Sequence, residues 1–84
     1  MIKISNIKIV GISVDKRTKS APVVQQVLTK FGDNIISRYG VHDVGEHERG
    51  LITLNFVGSN ELLKQLESEL GKLEGVNAKS INFE

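Results

Sequence analysis

The chain lacks cysteine and tryptophan, and in 84 residues it has one proline, one methionine and only 5% aromatic residues. Without cysteine there is no disulfide framework, no thiolate metal site and no cysteine nucleophile. Long apolar runs are missing too. The opening stretch MIKISNIKIVGISV alternates polar and apolar residues, whereas a signal peptide needs a continuous apolar segment and a membrane span about 20 apolar residues. A cytoplasmic chain with no membrane partner is therefore expected. Charge of one sign is also lacking: 11 basic residues face 10 acidic ones, for a formal net charge of +1. Nucleic-acid binding normally leaves a basic stripe, and no direct nucleic-acid site is evident. The chain is short as well, so about 60–65% of the unfolded surface is buried on folding. That leaves little volume for an enclosed active site and points any ligand to a surface, a sheet edge or a subunit boundary.

What is present is clear periodicity. Val10, Ile12 and Val14 share one parity in a strand over residues 6–14, because alternation with period two is the mark of a half-buried strand. A charged loop, DKRTKS, leads to Ser20 as helix N-cap and Pro22 in the first turn. Val24, Val27, Leu28 and Phe31 then fall on one helical stripe, and Gly32 is placed to end the helix in the left-handed conformation. Residues 34–41 read as a second strand with Ile35, Tyr39 and Val41 on one parity, and residues 50–57 as a third with Ile52, Leu54 and Phe56 buried. Ser59 or Asn60 caps a second helix whose seam is Leu62, Leu66, Leu70 and Leu73, stopped by Gly71 or Gly75; residues 76–83 form a last strand.

The order β-α-β-β-α-β, with one apolar stripe per helix, predicts an α+β ferredoxin-like sandwich as one domain over residues 1–84: a four-stranded antiparallel sheet with two helices on one face. Right-handed crossovers put the first and third strands, the most apolar, at the centre. The other face of the sheet then carries Ile7, Ile9, Leu51, Thr53, Asn55 and Val57. So many apolar side chains on an open face predict cover by a second subunit, and hence a homo-oligomer through the open sheet face or the sheet edges.

The residues bear on several kinds of chemistry. RYGVHDVGEHERG holds both histidines, His42 and His47, with Asp43, Glu46 and Glu48 around them. Imidazole and carboxylate suit zinc or nickel, but two histidines five apart in a loop have no rigid element to converge them. A solvated hairpin tip with no metal and no cofactor is expected, and a metal sensor built on His42, with or without His47, is the alternative. Arg17 after the first strand and Asn55 on the third lie near the places an acylphosphatase of this fold uses. The DKRTKSAP loop has no glycine, however, and its backbone could not easily wrap a phosphate. No histidine neighbours a serine in a strand-turn-helix elbow. RNA binding on such a sheet needs exposed aromatics for stacking, whereas Phe31 and Phe56 belong to the core. The metal-carrying version of the fold needs a cysteine pair after the first strand. No catalytic residue is assigned.

Five stretches together, IVGISVDKR, VVQQVLTKFG, ISRYGV, GLITLNFVG and LLKQLESELGKLEGV, resemble the small iron-only hydrogenase system regulators over nearly the whole chain. Family members commonly carry methionine at the position of Tyr39 and proline at that of Glu74. The resemblance implies an ACT-like, regulatory subunit that assembles as a dimer or tetramer, similar to the C-terminal domain of nickel-responsive repressors. The third strand has no histidine or cysteine, so the repressors' nickel site is not expected to carry over. No DNA-binding segment is evident within these 84 residues, so any regulation of transcription is expected to act through a partner. ACT-like analogy places a small anionic ligand between subunits at residues 15–20, with Arg17 and Ser20 on one side and Arg38 and His42 closing from a neighbouring chain.

Overall fold

The computed structural model describes residues 6–15, 18–42 and 49–83. Its elements are β1 (Ile7–Asp15), α1 (Ala21–Lys30), β2 (Ile35–His42), β3 (Arg49–Val57), α2 (Asn60–Gly71) and β4 (Val76–Asn82), with a 3-10 turn at Gly32–Asn34 between α1 and β2. All neighbouring strands are antiparallel, in the order β2-β3-β1-β4. This is the ferredoxin-like arrangement, with β1 and β3 central as their apolar content requires. Strict alternation along β1 and β3 sends Val10, Ile12, Val14, Ile52, Leu54 and Phe56 under the helices. Val24 and Leu28 of α1 and Leu63, Leu66 and Leu70 of α2 close the core over them. In α2 the deepest side of the seam runs through Leu63, with Leu62 and Leu73 partly buried beside it. Lys8 occupies a core-facing position on β1 and is 2% exposed; its ammonium donates to the Gly58 carbonyl at 2.8 Å.

Several local expectations need correction. Ser20 stands at the N-cap of α1, but its side chain makes no capping bond there. Instead its hydroxyl donates to the Glu74 carbonyl at 2.7 Å, joining the β1–α1 turn to the α2–β4 turn. Thr18 adds a bond to the Asp15 carbonyl at 2.7 Å, and the Asp15 amide donates to the Gly75 carbonyl. Gly32 does not adopt a left-handed conformation: α1 ends at Phe31, whose amide bonds back into the helix, and the chain continues as the 3-10 turn. The left-handed glycine is Gly75, at φ 73°. A Cβ there would lie 2.9 Å from Thr18 Cγ2 and 3.0 Å from Asp15 Cβ, so glycine permits both the turn and the close approach. At α2 the sequence reading holds, since Ser59 accepts the Leu62 amide at 3.1 Å.

The largest departure is on β2. Ile35 pairs with Phe56, but Ser37 pairs with Asn55, so the register shifts by one residue around Ile36. A β-bulge of this kind flips side-chain parity for the rest of the strand. Ile35 therefore faces the core, while Tyr39 and Val41, placed on the same parity from sequence, emerge on the open face of the sheet. Arg38, Gly40 and His42 turn toward the helices.

Candidate functional site

The helix side of the sheet is fully built over its central strands and incomplete at its edge. Along β2 the residues facing α1 are Arg38, Gly40 and His42, opposite Leu54, Ile52 and Gly50 of β3. Gly40 and Gly50 contribute no side chain. A Cβ on Gly40 would meet nothing within 4 Å. The gap they leave between β2 and the start of α1 is a cleft of about 220 Å³. Its floor is apolar, from Val14, Val24 and Ile52, and Ala21 forms part of the helix wall. Its polar groups are Arg38, His42 and Gln25. Arg38 Nη2 donates to Gln25 Oε1 at 2.6 Å, which fixes the guanidinium against α1. That bond takes one of five N–H donors on a fork suited to carboxylate or phosphate oxygens.

Two of the sequence candidates thus come together, and within a single chain: Arg38 and His42 line one wall of a cleft whose other wall is their own α1. Approach from a neighbouring chain is not needed to bring them to the helix. Ser20 does not line this cleft; it is 6% exposed and its hydroxyl is committed to Glu74. Arg17 and His47 lie outside the described residues, as do Asp43, Glu46 and Glu48 of the hairpin tip. Among the described residues no group of three or more side chains is placed to hold a metal ion. Asn55 sits on the open face, remote from the cleft, and its amide donates to Ser37 Oγ at 2.8 Å. The hydrolase pairing of Arg17 with Asn55 involves a residue outside the described ones.

Gln25, Gly40 and Gly50 were not singled out from sequence. The available signal was the alternation Arg38-x-Gly40-x-His42, which places a cation, a void and an imidazole on one face of a strand. It was obscured by the bulge, without which the parity of β2 cannot be tied to that of β3.

Similarity to known proteins agrees with the architecture. A family model described as "TM1266-like: Iron-only hydrogenase system regulator, putative" matches residues 6–80. Among solved structures, the uncharacterized protein TM1266 from Thermotoga maritima superposes with a TM-score of 0.85 at 28% identity, covering 94% of this chain and 98% of that one. A formyltetrahydrofolate deformylase from Pseudomonas putida KT2440 matches with a TM-score of 0.61 at 12% identity. That match covers 89% of this chain but only 28% of the deformylase, and it shares the fold alone. None of the curated proteins matches. Among the described residues no helix is long and apolar enough to cross a membrane.

Proposed function

Because the chain belongs to the TM1266-like family of iron-only hydrogenase system regulators, we propose that it is a regulatory module that senses a small anionic ligand in the cleft between α1 and β2. The observation that carries this reading is the cleft itself: an apolar floor, two glycines that open it, and Arg38 and His42 on one wall. A volume of about 220 Å³ falls below the ~300–1,000 Å³ of sites that enclose drug-sized ligands. The fitting occupant is a compact anion with an apolar body, such as a small carboxylate, rather than a nucleotide. Arg38 supplies charge-assisted hydrogen bonds to it, and His42 supplies an imidazole donor at the open end. With a formal charge of +1, an effect on transcription passes through a protein partner rather than through direct contact with DNA. Binding and relay, not catalysis, is the activity this arrangement suits.

Titration calorimetry with acetate, benzoate and inorganic phosphate tests the reading. Wild type is expected to bind at least one of these anions. Binding is expected to fall ten-fold or more in Arg38→Ala and in Gly40→Val, whose isopropyl group occupies the cleft while strengthening strand propensity. Equal affinities in all three proteins would remove the cleft as the site. Nickel and zinc belong in the same series, with His42→Ala as control, and a metal heat lost in that variant would favour the metal-sensor alternative.

A further inference from the structure

The wall that α1 gives to the cleft is made by Ala21, Val24 and Gln25, which fall at i, i+3 and i+4 and so share one face of the helix. Gln25 is the polar member of that face, and its orientation is fixed by chemistry. A guanidinium carries donors only, so the atom that meets Arg38 Nη2 at 2.6 Å has to be the amide oxygen. The amide nitrogen of Gln25 is thereby turned away from Arg38, and no hydrogen bond among the described residues uses its two N–H groups. The backbone carbonyl of Gln25 is taken as well, since it accepts the Thr29 hydroxyl at 2.9 Å. What Gln25 has left to offer a ligand is a pair of donors.

Charge in the cleft has one sign. Among the described residues lining it there is a cation, Arg38, and no acidic side chain. The hollow on the outer side of the helices is a contrast, with Lys30, Lys64 and Lys72 set beside Glu61 and Glu69. The start of α1 adds to the positive character. Ala21 opens the helix at the cleft wall, its first turn holds no acidic residue, and Ser20 gives it no side-chain cap. The partial positive charge of that helix end is therefore not offset by a side chain.

Resting on the reading of this cleft as an anion site, we propose that it selects short 2-oxo acids over the 2-amino acids of the same skeleton, and that Gln25 sets this selectivity. The Arg38 fork, with one of five N–H donors spent on Gln25, can still hold both oxygens of a carboxylate. The Gln25 amide then donates to a third oxygen, the oxo group on the neighbouring carbon. The short apolar body lies on Val14, Val24 and Ile52. An amino acid would place an ammonium where the oxo group sits. That group is a donor facing donors and a cation beside Arg38, so the discrimination comes from repulsion as well as from a lost hydrogen bond.

Titration calorimetry with 3-methyl-2-oxobutanoate, valine and 3-methylbutanoate tests the proposal, because the three share a carbon skeleton and differ only at the second carbon. Wild type is expected to bind the oxo acid at least ten-fold more tightly than valine, with the plain acid between them. In Gln25→Glu a carboxylate pairs with Arg38 and can accept an ammonium. There the oxo acid is expected to weaken at least ten-fold and valine to hold or gain, so that the preference collapses. Gln25→Met keeps length and helix propensity but has no donor, and it is expected to bring the oxo acid down to the plain acid. A merely structural role for Gln25 would weaken all three ligands together and leave their ratio unchanged. Equal binding of oxo acid and valine by wild type, or a ratio untouched by Gln25→Glu, would overturn the selectivity. So would binding of benzoate or phosphate with all three acids silent, and in each of these cases the cleft would stand as an anion site. Silence toward every anion would remove the cleft reading and this inference together.

Discussion

At the scale of single residues, the sharpest constraint is Gly75. Its positive φ and the 2.9 Å approach of a Cβ to Thr18 predict that Gly75→Ala destabilises the fold by about 1–3 kcal/mol. Gly71, whose added Cβ would meet nothing within 4 Å, is the contrast: Gly71→Ala at the end of α2 is expected to be neutral or stabilising by about 0.5 kcal/mol. Urea denaturation of both variants checks the pair. Glycine as a helix stop could be read from sequence at positions 32, 71 and 75 alike, yet one of the three is left-handed. What selects Gly75 is a contact with the β1–α1 turn, and that turn lies more than fifty residues away in the chain. Ser20 shows the same limit. Its type and position marked an N-cap, but the acceptor it found, the Glu74 carbonyl, belongs to a distant turn that local rules do not see.

At the scale of elements, amphipathic periodicity located the helices and strands among the described residues, because each buries one face in one core. The caps were legible where the partner is local. Ser59 accepts the Leu62 amide three residues on, and Ser59→Ala is expected to cost about 1 kcal/mol, measured by the same denaturation. β2 was legible as a strand but not as a surface. Its bulge at Ile36 reassigns every following side chain, and as an edge strand it is too exposed for hydrophobic alternation to report its register. After the bulge, β2 presents Arg38, Gly40 and His42 to the cleft and Tyr39 and Val41 to the open face, so substitutions on alternate residues probe the two faces separately. Gly40→Val is expected to abolish anion binding in calorimetry, and Leu51→Glu on the adjoining strand to leave it intact.

At the scale of the whole molecule, the helices dress one side of the sheet and leave apolar side chains exposed on the other. Composition excluded disulfide and thiolate chemistry, while strand order followed from which strands are most apolar. The cleft did not follow, because it is made by an absence: two glycines on neighbouring strands where a core would otherwise have closed. The central claim is that this opening, and not the β1–α1 turn or the open face, is where the regulator receives its signal. Amide chemical-shift mapping over the whole chain, during titration with benzoate and then inorganic phosphate, tests that claim most directly. Saturable shifts centred on Ala21, Gln25, Gly40, His42 and Gly50, with Thr53, Gly11 and Ile81 unmoved, are the predicted result. Shifts centred on Thr18 and Ser20 or on the open face, with the cleft silent, would contradict it.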